Sequence, residues 1–416
     1  MQKLPAILGI ILCSAAFAAC GGESAVPTAS SVDPLTGIDT TQVLISQEEL
    51  DQTADIRLTP FRSGNKWGFA DANLNLVIEA DYDYVDPFFE NLAIVRKGGV
   101  FGVIDKRGRA IIPPRFERIT RSACGVMTIK TDSGYVLVNH TGKRVTRQIY
   151  QGAFSYTCSE GRIPVVEAGK IGFLDKNGRQ VVPCKYDAFH RFSDGVAPAR
   201  LGNSVEGKWG VLDQQGNEVI PFAYETIFPF TDGLAVAVKE DSTGNERWGV
   251  INKWGEAVIP FEFGAISGQF RGEYIVCKAF DPVELYLEGL EDEYNTWYIY
   301  DRQGRQTGKS SYELSDDFSD GRVVLRQGNQ YGYADATGKI VIAPAYDHVC
   351  PFSQGVAWVG KDSLYGFINP SGEVVVPLKY APAGEYLFME EWGAWVTDAQ
   401  TGEEFFVDKA GKEFKR

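Results

Sequence analysis

The sequence predicts an all-β repeat array, and three observations support this. The stretch KWGVLDQQGNEVIPF, Lys208 to Phe222, returns as RWGVINKWGEAVIPF, Arg247 to Phe261, 39 residues further on. Aromatic residues and glycines recur at fixed offsets along most of the 416 residues. The composition is globular and turn-rich: 44% hydrophobic, with 45 Gly, 25 Phe, 19 Tyr and 8 Trp. A short period held over most of a chain marks a repeat architecture and overrides a domain count taken from length.

The N-terminus carries an address. Lys3 precedes an apolar run, Leu4 to Ala18, too short for the ~20 residues of a membrane-spanning helix. Small residues then lead to a Cys, the pattern of a secretory signal peptide. Phe17-Ala18-Ala19-Cys20 resembles a bacterial lipobox, with Phe in place of the usual Leu. That resemblance implies cleavage after Ala19 and acylation of Cys20, so residues 1–19 read as a lipoprotein signal peptide. Several acyl chains make a stable anchor. Residues 20–60 then hold the anchor Cys and a tether. Within it, 23–42 is rich in Ser, Thr and Pro and too poor in large apolar side chains to fold. The stretch VLISQEELDQTADIRLTPF, 43–61, suits a short helix or a cap for the array.

The repeat domain spans 61–416. With Trp209 as position zero, equivalent positions are Trp67, Phe101, Tyr135, Ile171, Trp248, Trp297, Tyr331 and Tyr365, with a degenerate unit at Glu404. Spacings run 34, 34, 36, 38, 39, 49, 34, 34 and 39. Gly stands at plus one in seven units, from Gly68 to Gly366, and Val136 and Tyr298 depart from it. Asp or Asn stands at plus four throughout, from Asp71 to Asp408. Gly stands at plus seven in every unit but the first, and an aromatic at plus fifteen, from Tyr82 to Tyr380. A Phe near plus twenty-one often opens Phe-Ser/Thr-Asp-Gly, as at Phe192, Phe230 and Phe318.

Asp-x-x-Gly between two apolar runs predicts a hairpin: the Asp caps a type I turn and the Gly takes the left-handed position that closes it. Trp-Gly-Val-Leu-Asp is the strand before it and Asn-Glu-Val-Ile-Pro the strand after. The Pro is expected to end the ladder, since it lacks an N–H. The Phe-x-x-Gly corner turns the chain into a third strand, such as LAVAVKED. One such unit cannot bury its own apolar face, so units must stack. The glycine beside each Trp is expected to let a neighbouring ring lie flat on it.

On Lys66-Trp67-Gly68, Lys208-Trp209-Gly210 and Arg247-Trp248-Gly249, with the elements downstream of each, the chain resembles the WG-repeat (KWG-repeat) proteins of bacteria. The resemblance covers 61–416 apart from one insertion, and implies a fold more than an activity. Trp392-Gly393 lacks the Asp and Gly that should follow and reads as part of a C-terminal cap. Nine units and a partial tenth exceed the usual four to eight or so propeller blades. About nine to ten three-stranded repeats therefore favour an open, superhelical or solenoid-like array; the alternative is a closed propeller-like toroid.

Net charge is −14, with no Lys/Arg run longer than two, which argues against a nucleic-acid partner. The repeated Asp at plus four reads as turn capping. The acids at plus sixteen (Asp83, Glu117, Asp187, Glu225, Glu313, Asp347) could instead form carboxylate ladders. His140, His190 and His348 lie in different units without ligand spacing, so no metal, cofactor or catalytic residue is assigned. Cys124 and Cys158 share one register position in adjacent units; a disulfide and two buried thiols are both open.

The 49-residue unit holds an acidic insertion, 281–296, where Tyr286, Glu288, Glu291, Asp292 and Tyr294 suit recognition of a sugar or cationic peptide. The function expected is therefore a membrane-tethered scaffold at the bacterial cell envelope, binding a protein or glycan. The alternative is an envelope-polysaccharide enzyme using a carboxylate pair.

Overall fold

The computed structural model describes residues 45–121, 124–266, 273–279, 296–382, 393–408 and 411–415. The chain divides into Met1–Asp39 and a compact unit, Thr40–Arg416. Apart from one short α-helix and one 3-10 turn, the regular structure described is antiparallel strand.

The Asp-x-x-Gly hairpin forms as its residues require. Between strands Lys208–Asp213 and Glu218–Tyr224, Asp213 Oδ1 accepts from the N–H of Gln215 at 2.9 Å and of Asn217 at 2.8 Å. Gly216 donates to the Asp213 carbonyl at 3.0 Å with φ +84°. Asp71, Asp105, Asp175, Asp301, Asp335 and Asn369 cap their turns the same way. In the first unit Leu74 takes the left-handed position at φ +64°.

Two expectations about the KWG strand are corrected. The Pro does not end its strand. Pro221 lies inside Glu218–Tyr224, and pairing steps from Val211↔Ile220 to Trp209↔Tyr224, which leaves Pro221 in a bulge where no ladder N–H is needed. Nor does the plus-one glycine serve a neighbouring unit's ring. A Cβ on Gly332 would stand 2.3 Å from the Ile342 carbonyl oxygen, and one on Gly68 2.2 Å from that of Ile78. The bulged partner strand of the same unit crosses there. Where a ring does lie over this glycine, it is the same unit's Phe222 or Phe261.

The departures fit this cause. At Tyr298 the register runs unshifted through Trp297↔Ser310, Tyr298↔Lys309 and Ile299↔Gly308. Tyr312, the plus-fifteen aromatic, is therefore not the ring's partner. At Val136 the fourth strand is replaced by isolated bridges, Tyr135↔Tyr150 and Val138↔Arg144.

Six of the nine described sheets also contain more than three strands, and these are shared between sequence units. Outside the unit that starts at Trp248, the strand after the corner does not join its own unit's hairpin. Val196–Leu201 pairs with Lys208–Asp213 of the next unit, and the two-residue strand Ala188–Phe189 pairs on its outer side. Most sheets thus have four strands, the first two from one unit and the last two from the next. Residues 226–310 form one seven-stranded sheet, because Ala257–Ile266 continues into pairing with Tyr274–Ala279.

The core is a series of interlayers between successive sheets. Trp209, Val211 and Tyr224 pack against Ala235, Ala237 and Ile251 of the following sheet. Each turn glycine meets the preceding sheet: Gly216 lies against Val182, Gly255 against Ile220, and Gly372 against Ile342. The result is an open array of small sheets, with no closed barrel among the described residues.

The segment at 43–61 supplies both a helix and a cap. Gln47–Asp51 is helical, opened by a Ser46/Glu49 capping box. Ile45 and Leu50 are buried. Lys106 Nζ donates to the carbonyls of Thr53 and Ala54 at 3.0 and 2.9 Å, and Arg109 pairs with Glu49. Burial lowers the Lys106 pKa. Gly393, the expected decoy, begins the first strand of the last sheet, pairing with Asp408.

Candidate functional site

Most recurring polar residues are engaged by the fold. The plus-sixteen acids do not form a ladder of free carboxylates. Asp83 and Asp187 each pair with the Lys one residue before position zero, Lys66 and Lys170, at 2.6 Å. Glu225 pairs likewise with Lys208. Asp83 also accepts from Gly98 N, and the Lys66 hydrogen bond leads the effects that lower its pKa. The Lys of KWG thus closes its own hairpin against the acid that follows the fourth strand.

The corners latch each sheet to the next. Asp194, at φ +56°, accepts from Gly233 N at 2.8 Å, and Asp320 from Gly355 N at 2.7 Å. The residue after the capping Asp adds a second tie. Gln214 donates to Glu160 at 2.8 Å, Arg302 pairs with Asp232 at 2.7 Å, and His140 Nε2 lies 3.0 Å from Glu90. Between the sheets of 118–139 and 152–186 the latch is covalent. Cys124 and Cys158 form a disulfide with Cα atoms 6.1 Å apart. Cys124 holds the corner-acid position, and Cys158 that of the corner Phe.

That corner Phe is a plug. Phe88 packs on Phe69 at 4.5 Å between centroids, Phe192 on Phe173 at 5.1 Å, and Phe352 on Tyr333 at 4.7 Å. Phe230 shares a cluster with Val211, and Phe318 with Ile299. In the first three cases the plug of one sheet packs on the plus-two ring of the sheet before it, and in the last two it shares that residue's core cluster. In the corner 121–126, RSACGV, the sequence has Ser122 at that register position. The corresponding plus-two residue is Val103.

Val103 lines a cleft with Phe89, Leu92, Ile94, Arg121, Met127 and His140. The floor is aliphatic. Met127 stands where the other sheets mostly carry smaller residues, such as Ala93, Ala197, Ala235 and Ala357. Phe89 is 48% exposed at the mouth, and the Arg121 guanidinium lies over its ring at 5.7 Å. Arg121 donates to Asp86 at 2.9 Å and to the Pro87 carbonyl at 3.1 Å. Tyr84, 43% exposed, donates to Asp86 as well. The cleft between the two sheets is small, with an aliphatic floor and a rim of mixed charge.

His190 is stacked on Trp209 at 4.8 Å, and burial pushes its pKa down to about 4. His348 stacks on Tyr365. Among the described residues no group of three His, Cys, Asp or Glu could hold a metal, and no helix is long and apolar enough to cross a membrane. Ala19, Cys20, Tyr286, Glu288, Glu291, Asp292 and Tyr294 lie outside the described residues. Among the described residues at the cleft, Arg121 is paired with Asp86 and His140 lies beside Glu90.

The chain's likenesses to solved structures are distant. A eukaryotic initiation factor shares 9% identity at a TM-score of 0.40, covering 87% of this chain and 97% of its own. Hsv2 of Kluyveromyces lactis shares 12% at 0.29, covering 59% and 89%. The dihydro-heme d1 dehydrogenase NirN shares 13% at 0.29, covering 76% and 72%. No curated protein matches in sequence. The family described as WG containing repeat matches residues 67–100, 101–135, 171–204, 209–241, 248–276, 331–365 and 365–381, together more than half of the chain. With its hairpins, bulge glycines and shared sheets, this chain belongs to the WG-containing repeat family.

Proposed function

We propose that this protein is a binding scaffold for a protein or glycan of the bacterial cell envelope, held at a membrane by lipid on Cys20 and not acting as an enzyme. One observation carries the binding reading. The residues that recur in every unit are engaged in turns, ion pairs and latches, so what the array has left to offer is surface. Exposed rings stand on that surface, including Tyr84, Phe89 and Trp254, the last 74% exposed on a turn. Scaffolds use extended repeat surfaces of this kind. The lipobox-like Phe17-Ala18-Ala19-Cys20 and the Ser/Thr/Pro-rich stretch behind it support the tether.

The test is affinity capture of the detergent-solubilised protein from its own envelope, beside a Cys20→Ala control. The expected result is a partner enriched with the wild type and an acyl mass on its N-terminal peptide. No partner above the control would sink the scaffold reading; a Cys20 peptide without acyl mass would sink the tether.

A further inference from the structure

We propose that the turn edge of the sheets of 118–139 and 152–186 binds a linear polyanionic glycan, through cations that the fold leaves unpaired. The inference rests on the scaffold reading and names the chemistry of one ligand for it.

The net charge of −14 conceals a division along the chain. Residues 101–200 hold 17 Lys and Arg against 8 Asp and Glu, whereas 201–416 hold 18 against 34. Within the basic part, three consecutive turns carry cations: DKRGR at 105–109, NHTGK at 139–143 and DKNGR at 175–179. The turns on either side of this run, DANLN at 71–75 and DQQGN at 213–217, carry none.

The second and third of these turns abut. A Cβ on Gly178 would stand 2.2 Å from the Val145 carbonyl oxygen, so the turn 175–179 packs on the segment that follows Lys143. Lys143, Lys176 and Arg179 are exposed, and among the described residues none of them pairs with a carboxylate. The repeat explains why Lys176 has no partner. In other sheets the residue after the capping position ties to the preceding corner's acid: His140 to Glu90, Gln214 to Glu160 and Arg302 to Asp232. For Lys176 that corner position is Cys124, which the disulfide holds instead. Carboxylates are scarce at this edge. The cap of the turn 139–143 is a neutral Asn139, and Asp175 Oδ1 is taken by the N–H groups of Asn177 and Arg179 at 2.9 Å each.

The arrangement fits a linear ligand. Turns of successive packed sheets recur about 10 Å apart, so their cations follow a line. A linear polyanion laid along that line gains from the release of its counterions. An anionic bilayer is a plane, and would also meet the exposed carboxylates of Glu48, Asp51 and Asp55 on the cap tied to the neighbouring turn at Lys106. No aromatic side chain stands on the two abutting turns, which leaves a nucleic-acid base nothing to stack on and a protein partner no ring to anchor against. Asn177, exposed between Lys176 and Arg179, offers an amide to sugar hydroxyls. Glycans bearing carboxylate or phosphate share this chemistry.

The test is fluorescence anisotropy with the full-length protein. The probes are labelled oligogalacturonate for the carboxylate source and labelled polyglycerol phosphate for the phosphate source, with neutral dextran as competitor control. At least one probe should bind saturably, resist dextran, and lose at least about fivefold in affinity between about 50 and 150 mM salt. Lys176→Glu with Arg179→Glu should weaken binding at least about tenfold and leave Tm unchanged. Lys339→Glu with Lys412→Glu makes the same charge change on distant turns, at the register position of Arg179, and should stay within about twofold of wild type. The proposal is overturned if neither probe binds, if the first pair of changes has no effect, or if the distant pair costs as much. Tighter binding to phosphatidylglycerol vesicles through Lys176 and Arg179 overturns it as well, by making the edge a lipid site. The two readings fail separately. A protein partner still captured from the envelope by the Lys176→Glu/Arg179→Glu chain leaves the scaffold intact and refutes the edge as its contact. Glycan binding without any captured partner does the reverse.

Discussion

The plus-one glycine does not serve a neighbouring unit's ring. It is there because its partner strand, bulged around a proline, brings a carbonyl oxygen into the space of a Cβ. For Gly332 the nearest obstacles are the Ile342 oxygen at 2.3 Å and backbone atoms of Ala343 and Pro344 at 2.8 Å, none of which can rotate away. Gly332→Ala should therefore cost at least about 2 kcal/mol, in the range of overpacked sites with backbone shifts. Val136→Ala, in a unit without the bulge, should cost what a lost pair of buried methyl groups costs, about 1–3 kcal/mol, with no backbone shift. The denaturant midpoint of Gly332→Ala decides the matter: a midpoint equal to that of the wild type would mean that the bulge does not select glycine. The lysine before position zero tells a related story. Its position opposite the plus-sixteen acid makes it a hairpin clasp, half-exposed and worth little by itself.

At the scale of the element, the unit of sequence and the unit of structure are offset by half a sheet. Each hairpin closes a sheet that the previous repeat opened, so consecutive repeats are tied by strand pairing in addition to packing. Corner latches add a second tie. The covalent one, Cys124–Cys158, spans a sequence separation of 34 and joins the sheet that lacks a regular fourth strand to its successor. Alkylation under denaturing conditions without reductant should leave Cys124 and Cys158 unlabelled while Cys184, Cys277 and Cys350 take the label. Label on Cys124 would show that the bond does not form. Loss of the bond should cost about 3–4 kcal/mol for a loop of this size. The cost should fall on the sheets of 118–186, because stability in such arrays is close to a sum of local terms.

The whole molecule behaves as a line of interlayers, each reporting on its neighbours only. The first described element, Gln47–Asp51 with the turn after it, covers Lys106 and Arg109 of the 84–116 sheet. Removing residues 45–56 should speed amide exchange in 100–116 and leave 331–380 unchanged, read by hydrogen-exchange mass spectrometry. A uniform rise across the array would show one cooperative unit instead of coupled layers.

What the sequence by itself determined was the local chemistry. Asp-x-x-Gly specifies a capped turn within four residues, an aromatic every repeat specifies a packing row, and the period specifies an array; all three act over short distances and are legible without coordinates. It also held a break in the corner pattern, Ser122 where other corners carry Phe. Tertiary structure alone decided which strand each corner strand joins, why proline sits inside a strand, and why glycine follows the ring. Those answers depend on a second chain segment arriving at a given distance and register. For the corner strand that partner comes from the next repeat, and for the proline and the glycine it is the bulged second strand of their own hairpin, whose register no local pattern encodes.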